Sequence, residues 1–409
     1  MDTIRLQKVN DLKPKTIPLP GSKSESNRAL LINALCNNPG EIKNLALARD
    51  TEIMRGLLTQ VNYDYNARDA GTVMRFMTAY LAVMKSNSQI TGTEHMKKRP
   101  IGILVEALNS LGGKISYLEK EGYPPLKITK LAHQTTSVLE IASDVSSQYI
   151  SALLMVAPKL PNGLTVKLMG EPVSTPYIAM TVSIMKHFGV KVDVIGQSFQ
   201  IAAQSYTYAP FSVESDWSAA SYWYAIFTLS NLQELRLAGL RKNSFQGDSI
   251  VAELMKEFGV ESSFSENSAI LTRREATLPK EIDFIKCPDL AQTFAVLCAA
   301  LGHKCTFLGL QTLKIKETDR ILALKTELQK LGGDFVEEDN QWTVLPVAQD
   351  KLVSIGEVSI NTYNDHRMAM AFAPLATKMT VIIDDVNVVN KSYPTFWKDL
   401  ERIGFILRR

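Results

Sequence analysis

Cysteine and histidine are scarce in this chain of 409 residues, and their placement excludes whole classes of chemistry. The four cysteines, Cys36, Cys287, Cys298 and Cys305, form no CxxC pair. That argues against a disulfide scaffold and fits a reducing, cytoplasmic compartment. The five histidines, His95, His133, His187, His303 and His366, show no HExxH spacing, so no metal site is expected. Neither a GxxxxGK[ST] loop nor a GxGxxG fingerprint is present, so nucleotide and nicotinamide cofactors are not expected. No apolar run reaches the roughly 18 residues of a membrane span, and the polar, mixed-charge stretch Met1 to Thr16 carries no signal-peptide pattern. An excess of one charge is lacking too. Lys and Arg total 45 against 42 Asp and Glu, a formal net charge of +3. That balance does not suit a nucleic-acid coat or a polybasic membrane binder. Any anion site must come from local placement of cations. What is there is an ordinary globular composition, 45% hydrophobic and 21% charged, in a chain longer than one core usually serves.

A pattern recurs along the chain. An amphipathic helix ends in Gly and a short strand follows, as at Leu104 to Gly112 and then Lys114-Ile115-Ser116-Tyr117. The same ending returns at Gly189, Gly259, Gly332 and Gly404, at intervals of about 70 residues, the size of a small α/β subdomain. A residue just after a helix often sits at positive φ, which favours Gly. A sixth, degenerate copy without the Gly runs from Met54 to Tyr65. Each unit is expected to hold a second helix, apolar nearly all round and therefore buried. The expected spans are Ser24 to Leu35, Thr72 to Val83, Ser147 to Val156, Ser218 to Leu229, Leu290 to Leu301 and His366 to Leu375. Six units divide into two groups of three, with the join near Ala209 to Glu214, where Tyr208-Ala209-Pro210-Phe211 breaks the pattern.

Polar residues gather at the starts of these helices: Gly21-Ser22-Lys23-Ser24 with Asn27-Arg28, Asp69-Ala70-Gly71-Thr72 with Arg75, Ser146-Ser147-Gln148, Ser174-Thr175-Pro176-Tyr177, Cys287-Pro288-Asp289, Lys316-Glu317-Thr318-Asp319-Arg320 and Asp365-His366-Arg367. Helix N-termini present free N–H groups and the positive end of the dipole, so they attract anions. Taken singly, the Ser, Thr and Asp residues are explained by capping. The cations are not, because Lys and Arg belong at helix C-termini. Lys23, Arg28, Lys316, Arg320 and Arg367 break that rule together, as residues at functional sites do. Lys97-Lys98-Arg99-Pro100 reads equally well as a solvated loop. The cluster suits a small polyanionic ligand, with Arg as a bidentate fork and Lys as a point charge.

These motifs, with Leu19-Pro20 before the first and Ala29-Leu30 after it, Met74 beside Arg75, and Arg99-Pro100, resemble the 5-enolpyruvylshikimate-3-phosphate (EPSP) synthase family, in family order from residue 19 to about residue 395. The resemblance implies an α/β, two-domain enolpyruvyl transferase fold, each domain built of three repeated βαβαββ units around buried helices. The domains would be residues 20–213, and residues 1–19 with 214–409, with the active site in the cleft between them. It implies transfer of the enolpyruvyl group of phosphoenolpyruvate to the 5-hydroxyl of shikimate 3-phosphate, without metal or organic cofactor, in a cytoplasmic monomer with no nucleic-acid or membrane partner. By the same resemblance Lys23, Ser24, Arg28, Ser146, Ser147, Gln148, Ser174, Tyr177, Asp289, Thr312 and Lys316 hold shikimate 3-phosphate. Lys23, Gly71, Arg75, Arg99, Gln148, Arg320, Arg367 and Lys391 hold phosphoenolpyruvate. Asp289, Glu317 and Lys23 are the catalytic set: by the resemblance Asp289 orients or deprotonates the 5-hydroxyl and Glu317 protonates the methylene carbon, while a cation-rich setting that favours ionised Glu317 suggests a neighbour such as Lys23 to recharge it.

Asp69 departs from the family pattern, which often has Asn there, and Phe76 stands where Pro is common. Two rival readings remain distinct. The sister enzymes that act on a UDP-sugar carry Lys-Asn where this chain has Lys23-Ser24, and a Cys in the loop that here reads Thr93-Glu94-His95-Met96-Lys97-Lys98. A non-catalytic polyanion binder would not set Asp289 and Glu317 among its cations.

Overall fold

A computed structural model of the chain describes residues 2–85, 87–142, 146–170 and 175–409. They form two units. One is continuous, Ser22–Val213, and the other joins Glu214–Arg409 to the chain up to Gly21.

The repeat is visible strand by strand. In the continuous unit, strand Asp64–Asn66 runs parallel to Ser88–Thr91, with helix Gly71–Met84 between them. Helix Gly102–Ser110 follows, and the hairpin Lys114–Tyr117 with Leu126–Thr129 returns antiparallel onto Ser88–Thr91. The same βαβαββ order builds the sheet of Val138–Ala142, Leu164–Met169, Ser198–Ile201 and Asp193–Ile195. It recurs in the other unit with Glu281–Asp283, Cys305–Leu308, Gln341–Leu345 and Asp334–Glu338.

The remaining sheets borrow strands from distant sequence. Glu357–Ile360 and Thr380–Ile383 pair in parallel, and the sheet is completed by Ile4–Leu6 and Leu407–Arg408. Thr16–Pro18 leads into helix Lys23–Leu35 of the continuous unit, yet it pairs with Glu234–Ala238 of the discontinuous one. Phe211–Ser212 leads into helix Trp217–Leu229 of the discontinuous unit, yet it pairs with Ile42–Lys43 of the continuous one. At these crossings Gly21 bridges Ser215, and the Asp216 N–H donates to the Pro20 carbonyl at 2.8 Å.

The degenerate copy is explained by its helix end. Helix Arg49–Thr59 stops at Gln60 in an extended conformation, and the next strand, Asp64–Asn66, already belongs to the following repeat. The other copies end as the Gly pattern predicts. Gly112, Gly189, Gly259, Gly332 and Gly404 have φ of 105°, 81°, 83°, 86° and 112°.

Helices apolar on every side lie inside. Ala291–Ala300 is buried at every position, and Trp217 and Trp223 of Trp217–Leu229 are fully buried. Each such Trp contributes about 4–6 kcal/mol of gross burial energy. Two of the expected spans need correction. The helix expected from Leu290 begins as a tighter turn, Pro288–Leu290. The helix expected to reach Leu375 ends at Phe372, because Pro374 cannot donate to the ladder and the chain tightens into a 3₁₀ turn over Ala373–Thr377. Among the described residues no helix is long and apolar enough to cross a membrane.

Candidate active site

In the discontinuous unit the site residues converge on one guanidinium. Arg320 opens helix Arg320–Leu331, capped by Asp319, whose carboxylate accepts from the Leu322 N–H at 3.0 Å. Only 2% of the Arg320 side chain is exposed. Its Nε donates to Asp365 Oδ2 at 2.6 Å, Nη1 to Asp289 Oδ1 at 3.0 Å and Nη2 to Glu317 Oε2 at 2.8 Å. Asp365 is itself the cap of helix His366–Phe372 and accepts from the Arg367 N–H at 2.8 Å. Arg367 turns to Asp289, with Nη2 3.0 Å from Oδ2 and Nη1 donating to the Asp289 carbonyl at 3.2 Å. Lys316 stands 3.8 Å from the same carboxylate. The cations that break the helix rule are thus neutralised by acids from three helix starts.

The electrostatics follow. Burial alone would raise the Asp289 carboxyl, but Arg367, Lys316 and Arg320 hold it well below the usual carboxylate range. Burial would weaken the Arg320 cation, but Asp365, Glu317 and Asp289 push it above its ordinary value. Behind Arg367 lies a group that sequence reasoning missed. Asp248 hydrogen-bonds the Ser218 hydroxyl, which accepts from Arg367 Nη2 at 3.4 Å. Burial and the neighbouring Asp289 raise the Asp248 carboxyl to about 7, against Arg367 and Ser218. Asp248 sits in Gln246-Gly247-Asp248, where nothing local marks it. Tyr222, also missed, accepts from Arg367 Nη1 at 3.4 Å, and burial pushes its phenol up to about 12.

In the continuous unit, Arg28 is buried on the helix that Ser22 caps. Its Nε donates to Thr181 Oγ1 at 2.7 Å, Nη1 to the Ser24 carbonyl at 2.9 Å and Nη2 to Ser151 Oγ at 3.2 Å. The rings of Phe76 and Tyr177 lie 5.3 and 5.9 Å away. Burial lowers the Arg28 guanidinium to about 10. Lys23 pairs with Asp50 at 3.2 Å. Gln148 donates to Thr72 Oγ1 at 3.3 Å, and its N–H donates to the capping Ser146 Oγ at 3.4 Å. Ser147 is buried in the first turn of that helix.

Arg99 lies across the start of helix Gly71–Met84. A Cβ on Gly71 would come 2.7 Å from Arg99 Nη1, so only Gly admits the guanidinium there. Among the described residues, no acceptor reaches the Arg99 guanidinium. Its neighbour Lys97 pairs with Glu94 and Glu119, so the basic run is not uniform. Arg75 is the cation to which the resemblance gives a supporting part. It is buried and donates to the carbonyls of Gly71 at 3.2 Å and Pro100 at 2.6 Å, fastening the Arg99-Pro100 turn to the helix. Thr312 lies in the turn Gln311–Ile315, its hydroxyl buried and without a hydrogen-bond partner among the described residues. Lys391 donates to the Asn364 carbonyl at 3.2 Å. Ser174 lies outside the described residues.

A profile of the family described as EPSP synthase (3-phosphoshikimate 1-carboxyvinyltransferase) matches residues 6–65 and 55–400. A 3-phosphoshikimate 1-carboxyvinyltransferase from Bacteroides fragilis (strain YCH46) is 48% identical over 393 residues, covering 95% of this chain and 95% of its own. One from Neisseria meningitidis serogroup B (strain ATCC BAA-335 / MC58) is 36% identical over 426 residues, covering 97% of each chain. A solved structure of an EPSP synthase from Acinetobacter baumannii superposes with a TM-score of 0.81 at 18% identity, over 100% of this chain and 99% of that one, which establishes a likeness of fold.

Proposed function

Because the chain belongs to the EPSP synthase family, we propose how its residues carry out that family's reaction. The enzyme transfers the enolpyruvyl group of phosphoenolpyruvate to the 5-hydroxyl of shikimate 3-phosphate and releases phosphate, a step of the shikimate pathway of aromatic amino-acid biosynthesis. Its substrates are small and both carry negative charge.

The observation that carries the reading is the pair of carboxylates, Asp289 and Glu317, held 3.0 and 2.8 Å from one guanidinium. A pure anion binder gains nothing from acids among its cations. An enolpyruvyl transferase needs them, because a hydroxyl must lose a proton while the methylene carbon of the enol must gain one. Asp289, kept ionised by three cations, accepts a hydrogen bond from the 5-hydroxyl and takes its proton as the oxygen attacks C2. Glu317 delivers the proton to the methylene carbon, and Lys23 recharges it. The Glu317–Lys23 pair then takes a proton back from that carbon as its neighbour's bond to the phosphate oxygen breaks and the double bond re-forms, and the hydroxyl proton leaves Asp289 with the phosphate. Arg320, Arg367 and Lys391 stabilise the charge on the departing phosphate. Arg99 forks the phosphoenolpyruvate carboxylate, which supplies the acceptor its guanidinium lacks. Arg28, Lys23, Ser24, Ser146, Ser147, Gln148, Tyr177, Lys316 and Thr312 hold shikimate 3-phosphate. Arg75 shapes the turn that carries Arg99.

Phosphate release with both substrates together, and with each alone, tests the reaction. Release only with both is expected; release with neither combination would refute it. The monomeric state and cytoplasmic location belong to the same proposal, and light scattering after gel filtration checks the first.

A further inference from the structure

Helix Arg320–Leu331 carries a second buried ionic residue two turns beyond Arg320. The Glu327 side chain is 0% exposed, and its Oε2 accepts from Lys330 Nζ at 2.6 Å. The same oxygen accepts from the Asn361 N–H at 3.1 Å, while Oε1 accepts from the Tyr363 hydroxyl at 2.7 Å. A spacing of seven residues places Arg320 and Glu327 on one helix face. Both grip the same segment: Arg320 takes Asp365, and Glu327 takes Asn361 and Tyr363.

Between these grips the backbone turns left-handed twice, with φ of 54° at Tyr363 and 57° at Asn364. Asn tolerates that conformation, but a bulky aromatic residue rarely adopts it. Such backbone persists where its surroundings over-determine it, characteristically at ligand clamps. Here the Thr362 N–H donates to Asp384 Oδ1 at 2.6 Å and the Asp365 N–H donates to the Thr362 carbonyl at 2.9 Å, in addition to the Glu327 contacts. The double turn sends the Asn364 carbonyl to Lys391 Nζ. It also delivers Asp365 to Arg320 and to the N–H of Arg367.

We propose that Glu327 and Tyr363 are positioning residues for phosphoenolpyruvate: through this turn they set Lys391, Arg320 and Arg367 in register. The inference rests on the functional reading above, which assigns those three cations to that substrate. That reading is tested first in the unaltered enzyme, where failure to release phosphate from both substrates together would overturn it and, with it, this inference.

Once that activity is measured, Tyr363→Phe and Glu327→Gln are each expected to raise KM for phosphoenolpyruvate about tenfold, with KM for shikimate 3-phosphate changed by less than about twofold. The double variant should be no worse than the worse single variant, because both side chains act through one turn. Hydrogen exchange in the free enzyme should quicken over residues 361–367 and stay unchanged elsewhere. If Glu327→Gln does not fold, Tyr363→Phe, which removes one oxygen atom, carries the test. An equal rise in both KM values would overturn the proposal, as would additive losses, or faster local exchange with an unchanged phosphoenolpyruvate KM.

Discussion

In the discontinuous unit, Arg320 and Arg367 meet carboxylates, four of the contacts at 2.6 to 3.0 Å. In the continuous unit, Arg28 meets two hydroxyls, a carbonyl and two ring faces, and Arg99 meets no acceptor among the described residues. Burial is similar for Arg320 and Arg28, yet its outcome is opposite. Acid partners push the Arg320 cation above its ordinary value, and neutral partners let burial lower Arg28 to about 10. The first arrangement spends its positive charge on the protein's own acids and holds Asp289 ionised. The second leaves positive charge for a ligand. One sequence rule, cations at helix starts, thus gives a network of internal ion pairs around Arg320 and Arg367 in one unit and, at Arg28 in the other, a guanidinium held by neutral groups.

The sharpest way to break this comparison is at the carboxylates. Asp289→Asn and Glu317→Gln keep shape and remove the titrating oxygen, and each should lower kcat by about 10²–10⁴ while substrate binding largely survives. The two should differ in isotope chemistry. Glu317→Gln should lose incorporation of solvent deuterium into the phosphoenolpyruvate methylene. Exchange at the wild-type rate would send the search for the donor to Lys23. Next in size is stability. Arg320→Met removes one ionic partner from each of three carboxylates and should cost about 3–5 kcal/mol in urea unfolding. Arg28→Met strands only neutral groups and should cost under about 1.5 kcal/mol while abolishing shikimate 3-phosphate binding in calorimetry. Comparable stability losses for the two would show that the contrast is superficial.

Arg99→Lys keeps the charge and loses the fork. It should weaken phosphoenolpyruvate binding by about 1.5–3 kcal/mol and leave shikimate 3-phosphate binding nearly unchanged. Losses shared by both ligands would make Arg99 structural. The last effect is a slope. Burial and the neighbouring Asp289 raise the Asp248 carboxyl from its ordinary value to about 7, so the folded state holds a proton that the unfolded chain releases. Its stabilising contribution is complete below about pH 4 and is lost as pH rises through about 7, at up to about 1.4 kcal/mol per pH unit. Asp248→Asn should flatten that part of the stability curve. Asp289, depressed by its cations, acts in the opposite sense, at the acid end.

Much of the fold is legible in the sequence because its punctuation is local. A Gly that must take positive φ marks five helix ends, and all-round apolarity marks helices such as Ser147–Val156 to the residue. The strands at the crossings from one unit to the other are not legible from pattern. Phe211–Ser212 is two residues long, and nothing in it distinguishes Ile42–Lys43 as its neighbour. The family resemblance alone placed the N-terminal strand in the second half. Among the site residues, the misplaced cations advertise themselves by breaking the dipole rule, and Asp365 lies inside a quoted motif without a role attached. Asp248, Glu327, Ser151 and Thr181 stayed hidden. Their part depends on which helices meet, and that information lies in packing between segments far apart in sequence. Arg75 was legible as a supporting cation but not in what it supports, because only the structure shows its guanidinium on the Gly71 and Pro100 carbonyls.

The strand Ile4–Leu6 lies between Thr380–Ile383 and Leu407–Arg408. A ribosome makes it long before either neighbour. At about 5–20 residues per second, the strand waits roughly 20–80 s for its first partner to be synthesised. Meanwhile all the strands of Ser22–Val213 have been made, so that unit can form while the nascent N-terminus is still without a sheet. Synthesis of Leu407–Arg408 therefore gates the last sheet. A nonsense codon that removes Leu407–Arg408 should strip Ile4–Leu6 of one neighbour and leave that edge open to chaperones and proteases.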